Sequence, residues 1–317
     1  MSDALYGPNG FFRRPAPADH FRTSAHTGPV FAAAIARVLA AVDAALGHPA
    51  ELEVVDVGAG QGELLVALEA QVSAELRGRL RLRAVEVAGR PDRLPDRIGW
   101  DHGLPDRITG LLLATEWLDN VPVEVVMADA EGHWRYVLVD AAGVETIGAA
   151  PDPDDAAWLA AWWPKGLRAE VGRTRDEAWA DAVSRVVRGA ALTVDYGHTR
   201  DDRPMLGSLS AYREGLEIQP VPDGSSDLTA HVAMDAAASA VDAPGYLVRQ
   251  TEALRALGVS GQRPPLTLAH RDPGGYIRAL AQASVAAELT DPAGLGGHYW
   301  LWHPIGIDLP TPARGLP

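Results

Sequence analysis

Gly58, Gly60 and Gly62 stand at alternate positions behind Asp56 in the run VVDVGAGQGELL. Glycines placed this way after a short β-branched strand let backbone amides approach a ligand, because no Cβ intervenes. A dinucleotide fingerprint needs a small residue where Glu63 stands, so the loop fits a compact ligand better than a pyrophosphate. Glu86 ends the next apolar run, LRLRAVEV, where a carboxylate can accept both hydroxyls of a ribose. Asp56, the three glycines and Glu86 together predict a nucleoside-type cofactor site.

A second set of polar residues follows later apolar runs. Glu116 and Asp119 come just after the run 110–114, and Asp195 ends ALTVD. Carboxylates at the carboxyl ends of central strands can hold a cationic guanidinium in bidentate hydrogen bonds and assist loss of its proton. Asp119 could equally cap a helix, and Asp195-Tyr196-Gly197 could be a plain exit turn. Asp227, Thr229 and His231 alternate in DLTAH. The unperturbed pKa of a histidine lies near neutrality, which makes His231 a candidate general base, with a structural hydrogen-bonded cluster as the alternative.

The elements that must carry these residues read as an α/β protein. Apolar spacing predicts a helix over 29–46, with Thr27 as its cap and Gly47 as its stop. Strands are expected at 51–57, 80–87, 110–114 and 192–195, with a helix over 63–76 and a tryptophan-rich helical stretch over 155–187. This alternation implies a doubly wound, mostly parallel sheet covered on both faces. The runs 123–128 and 134–139 flank the turn signal Asp129-Ala130-Glu131-Gly132 and predict an inserted β-hairpin. Hairpin and tryptophan-rich helices form an expected cap over about 123–187. A long polar loop spans about 198–231, and further helices are expected at 232–239, 246–257 and 274–289, with an apolar run at 299–305. Residues 1–50 read as an N-terminal segment and helix packing on the core domain, 51–317.

Composition limits the chemistry. The chain has 317 residues, a net charge of −14 and no cysteine, which excludes thiolate nucleophiles and zinc-thiolate sites and disfavours nucleic acid as a partner. His20, His26, His198, His231, His298 and His303 lack metal-binding spacings, so no metal centre is expected. The first 21 residues hold no signal-peptide core, and the alanine-rich stretches are broken by charges, so the expectation is a soluble cytoplasmic protein without membrane insertion.

Several ordered motifs carry a resemblance to a known family. HFRTSAHTGPVF (20–31), VVDVGAGQGEL, TEWLDNVP (115–122), DYG (195–197), PDGSSDLTAHV (222–232) and Gln250 resemble the motifs of the MidA-like methyltransferases, here in an actinobacterial form. That family includes the mitochondrial complex I assembly factor that methylates an arginine. The resemblance implies a Rossmann-like class I methyltransferase fold and S-adenosyl-L-methionine as cofactor, held by Asp56, Gly58, Gly60, Gly62, Glu86, Thr115 and Glu116. It also implies methyl transfer to a nitrogen such as a protein arginine, for example on a respiratory-complex subunit, with Glu116, Asp119, Asp195 and His231 around the acceptor. Thr115 stands where the family has Asn, and Ala25-His26 where it has Pro-Glu. A small-molecule methyltransferase, or a cofactor-binding assembly factor with weak turnover, are the alternatives, and a homodimer is left open.

Overall fold

The computed structural model describes residues 1–13 and 28–310. Thr27, His20, Ala25 and His26 therefore lie outside the described residues. The first part of the chain holds α1 (Ser2–Tyr6), α2 (Pro29–Ala45), β1 (Leu52–Val57), α3 (Glu63–Gln71), α4 (Ala74–Arg79), β2 (Leu80–Val85), β3 (Ile98–Asp101) and β4 (Ile108–Thr115). The cap region follows with β5 (Glu124–Ala128), β6 (Trp134–Val139), β7 (Glu145–Ile147), α5 (Pro153–Trp162), β8 (Arg168–Val171) and α6 (Arg173–Ser184). Then come β9 (Val186–Asp195), β10 (Gly197–His198), β11 (Ser210–Arg213), β12 (Leu216–Ile218), β13 (Asp227–Thr229) and β14 (Val232–Ala233). The chain closes with α7 (Met234–Ser239), β15 (Tyr246–Arg249), α8 (Gln250–Ala256), α9 (Leu266–Arg271), α10 (Pro273–Leu289) and β16 (Tyr299–Ile305).

Seven strands form the central sheet in the order β15-β16-β9-β4-β1-β2-β3. The five strands from β9 to β3 run parallel, and β16 lies antiparallel to both β9 and β15. Strand residues alternate between two buried faces. Val54, Leu111, Leu113 and Leu192 pack with Phe31, Ile35 and Leu39 of α2 and with Leu65 and Leu68 of α3. Val55, Leu112 and Ala191 pack against Trp179 and Val183 of α6 and Met234 of α7. The order reverses between β1 and β4, which opens a crevice beyond their carboxyl ends, the place where open α/β sheets bind ligands. The site residues collect around it.

The expected α/β sheet, first helix and inserted hairpin all form, with differences that have local causes. The helix expected over 63–76 is two helices, because Val72 is extended and the Ser73 side chain caps α4 by accepting the Leu76 N–H at 3.2 Å. The stretch 155–187 is interrupted by β8, which joins the hairpin in a four-stranded sheet ordered β7-β6-β5-β8. The first four residues of the expected helix 246–257 are instead the edge strand β15. β3 and α9 have no counterpart in the sequence reading. The loop after His198 contains a small antiparallel sheet, β12-β11-β13, whose Ala211 and Leu228 bury Ala4 and Leu5 of α1. Among the described residues no helix is long and apolar enough to cross a membrane.

Candidate active site

The first half of the site is the turn from β1 to α3. Gly58, Gly60 and Gly62 have φ of 69°, 58° and 81°, a region that side chains with a Cβ rarely adopt. At Gly58 a Cβ would stand 2.9 Å from the Trp117 ring, whereas at Gly60 its nearest neighbour would be a Glu63 carboxylate oxygen at 3.7 Å. Gly58 is thus needed for packing, while the space over Gly60 is open to a ligand. Glu86, one residue past β2, accepts the Gly60 N–H at 3.0 Å on Oε2 and the Val87 N–H at 2.7 Å on Oε1. Loop amides and ribose-type carboxylate therefore meet at one point. Beneath them Asp56 is buried, and burial, with Glu63 and Glu86 nearby, pushes its carboxyl up to about 8.

The second half gathers at the ends of β4 and β9. Thr115 is the last residue of β4, and Glu116 leaves the strand with φ 52°, a conformation that costs a non-glycine residue about 1–3 kcal/mol and concentrates at ligand sites. Its N–H is fixed to the Val194 carbonyl at 2.7 Å. Asp119 and Asp195 are buried behind it. Asp195 Oδ2 accepts the N–H groups of Leu118 at 3.0 Å and Asp119 at 3.3 Å, which closes the turn after β4. Asp119 Oδ2 accepts the Thr229 hydroxyl at 2.6 Å and the Tyr196 hydroxyl, and Tyr196 also touches Thr229. Asp227 accepts an Asn120 side-chain N–H at 2.8 Å.

One buried cation ties these segments together. Arg175 of α6 donates to the carbonyls of Val121 at 3.0 Å, Ala230 at 2.9 Å and His231 at 3.1 Å, and to that of Asp119. The carboxylates around it are poorly hydrated. Burial, with Asp119 and Glu116 close by, pushes Asp195 well above the usual carboxylate range, and burial raises Asp119 as well. Asp227 is pushed up to about 8 by burial and by Asp119. Tyr6 reaches in from α1, its hydroxyl donating to the Asn120 carbonyl at 3.1 Å.

Asp56, Gly58, Gly60, Gly62 and Glu86 thus line one half, and Thr115, Glu116, Asp119 and Asp195 the other. His231 joins the second half, but its ring stays at the surface and packs on the edge of Tyr196 at 5.2 Å. Asp119 and Asp195 hold the loop with one oxygen each, so they set a field and a shape rather than an exposed contact. The sequence reading missed Arg175, Tyr6, Asn120 and His298. An arginine among other arginines in RTRDEAW carries no local mark of burial, and Tyr6 lies far from every motif. Gln250, singled out by its motif, is wholly buried and braces β16, accepting the Trp300 indole N–H at 3.0 Å.

Comparison with known proteins agrees with this architecture. A family described as "Putative S-adenosyl-L-methionine-dependent methyltransferase" matches residues 34–250. A protein from Burkholderia thailandensis crystallised with S-adenosyl-homocysteine is 26% identical, with a TM-score of 0.81 over 99% of this chain and 89% of its own. The native crystal structure of an uncharacterised protein from the same organism, also 26% identical, gives the same score and coverage. No curated protein sequence matches. The open space over Gly60, a cradle with the Glu86 carboxylate beside it, suits a nucleoside with a short charged tail, as that cofactor is. With the family match spanning more than two thirds of its length and the strand order placing that cradle at the switch point, the chain belongs to the S-adenosyl-L-methionine-dependent methyltransferases.

Proposed function

We propose that the enzyme transfers the methyl group to a nitrogen of a cationic group that gives up its proton in the reaction, an arginine side chain of a protein. The observation that carries this reading is the acidic acceptor end of the crevice, where Glu116, set at φ 52° after β4, stands in front of the buried Asp119 and Asp195 and the buried arginine among them is spent on four carbonyls. A carboxylate at that place can accept N–H groups of a guanidinium and is a poor neighbour for an anionic acceptor. The likeness of TEWLDNVP and PDGSSDLTAHV to MidA-like motifs supports a protein arginine, and a respiratory-complex subunit as its carrier.

When bound, S-adenosylmethionine supplies an electrophilic methyl on its sulfonium. Glu86 would take the ribose hydroxyls, and the open face of the Gly58–Gly62 turn would admit the amino-acid end. Glu116 would accept an acceptor N–H, orient that nitrogen for in-line attack and take its proton as the N–C bond forms and the C–S bond breaks to leave S-adenosylhomocysteine, with rate gained from positioning and exclusion of water. Asp195 and Asp119 fix the turn that presents Glu116. Label from the cofactor's methyl group, mixed with a cell lysate, should appear as methylarginine in protein. Glu116→Gln should lower that transfer by about 10²-fold, the scale of losing an acid–base group, with cofactor affinity unchanged. Label confined to small molecules overturns the protein acceptor. Intact cofactor binding with no transfer favours an assembly factor.

A further inference from the structure

A row of rings leads away from Glu116. Tyr196 stands between His298, at 5.5 Å between centroids, and His231, at 5.2 Å. His231 is 6.4 Å from His198, which meets Trp163 of the cap edge-on at 4.9 Å. The Tyr196 ring cannot swing freely, since its hydroxyl is tied to Asp119 and Thr229.

His298 is equally well held. Its carbonyl accepts the Gln250 N–H at 2.7 Å, and its own N–H donates to the Leu295 carbonyl at 3.1 Å. Its side chain is nine-tenths buried, and its Nδ1 has no hydrogen-bond partner. That atom lies 3.9 Å from Glu116 Oε1, too far for a hydrogen bond. Burial holds the imidazole down at about 4, so it is neutral at neutral pH. With the proton on Nε2, the unpartnered Nδ1 offers a lone pair on the side of the Glu116 carboxylate. An orphaned buried nitrogen costs about 1–3 kcal/mol. That cost is recovered when a ligand brings the missing N–H.

Resting on the methyltransferase reading above, we infer that His298 is an acceptor-binding residue: its Nδ1 and Glu116 Oε1 together grip an N–H-bearing cationic group, and the Tyr196 ring forms the wall beside it. A guanidinium, with its N–H groups in one plane, can donate to both atoms at once. The face of a tyrosine ring is also a favourable neighbour for a cation. Nothing about His298 in the sequence marks it, because it lies far beyond the acidic motifs and has no histidine partner at metal spacing.

The inference is tested by calorimetry on the enzyme loaded with S-adenosylhomocysteine, titrated with N-acetyl-arginine-methylamide and with N-acetyl-lysine-methylamide. His298→Phe keeps the ring shape and removes the nitrogen. His298→Asn restores an acceptor near the Nδ1 position. We expect the arginine probe to bind the Phe variant about tenfold more weakly than wild type, the scale of one hydrogen bond to a charged group, with most of the loss regained in the Asn variant. S-adenosylhomocysteine affinity should be equal in all three. Binding of the lysine probe alone, with the same dependence on His298, supports the grip and moves the acceptor class to amines. Equal probe binding by wild type and the Phe variant overturns the inference, as does a loaded wild type that binds neither probe at millimolar concentration. A wild type that fails to bind S-adenosylhomocysteine overturns the reading beneath it as well. Should the Phe variant not fold, the ¹⁵N shift of His298 Nδ1 in wild type decides: no change on adding the arginine probe sinks the idea.

Discussion

The two halves of the site are built on opposite principles. The glycine-loop half comes from one short stretch, 56–86, and works through backbone amides and what is absent, a Cβ at Gly60. The acceptor half is assembled from α1, the turn after β4, α6, the end of β9, the segment 227–231 and the start of β16. It works through buried side chains whose charges must be balanced. The contrast teaches where damage should appear. A change in the first half should alter affinity and leave the fold, whereas a change in the second should unsettle the fold first.

The sharpest way to break this contrast is Arg175→Leu. Four carbonyls would lose their donor, and Asp119 and Asp195 their nearby positive charge. Breaking a buried charge network of this kind costs about 3–5 kcal/mol. We expect denaturant unfolding to show that loss, with Arg175→Lys recovering only part of it because an ammonium cannot reach the same fork of acceptors. The folded fraction should still bind S-adenosylhomocysteine. A loss below about 1 kcal/mol would show that the acceptor half holds together without its arginine.

Gly60→Val probes the other half. At φ 58° a β-branched residue is strained by about 1–3 kcal/mol, and its side chain would fill the space over the loop. Calorimetry should show S-adenosylhomocysteine affinity reduced by about 10²-fold or more, about 2.7 kcal/mol, with the unfolding transition still cooperative. An unchanged affinity would move the cofactor away from the loop.

The same contrast explains what the sequence could disclose. Asp56, the glycines and Glu86 were legible because backbone geometry writes itself as residue type at fixed spacing, and the sheet because β1, β4 and β9 are continuous apolar runs. Glu116, Asp119 and Asp195 were legible as residues leaving strand ends. Their separate environments were not: nothing local says that Asp195 turns inward to hold the N–H groups of Leu118 and Asp119 while Glu116 adopts φ 52°. Arg175, Tyr6 and His298 were invisible for the same reason, since each acquires its role only from partners distant in the chain. β15 was misread because YLVR continues into the apolar spacing of α8, and only pairing with β16 decides between strand and helix.

A dependence on pH is the effect most specific to the acceptor half. Asp227 holds its proton up to about 8 in the folded protein, against an ordinary carboxyl value near 4 in the unfolded chain. Between those values the folded state binds a proton that the unfolded state has released, so stability falls as pH rises from about 4 to about 8 and is flat above. Asp176, pushed up to about 7 by burial, and Asp56 contribute in the same direction, so Asp227 accounts for only part of the slope. Asp227→Asn removes the proton and keeps an oxygen for the Asn120 N–H. Its melting temperature should therefore lie close to that of wild type near pH 3.5 and exceed it by a growing margin up to about pH 8, and its pH profile should be shallower. Parallel profiles would mean that Asp227 is charged in the folded protein, that solvent or a counter-charge reaches it, and that the acceptor half is not the poorly hydrated pocket that burial of its carboxyl groups implies.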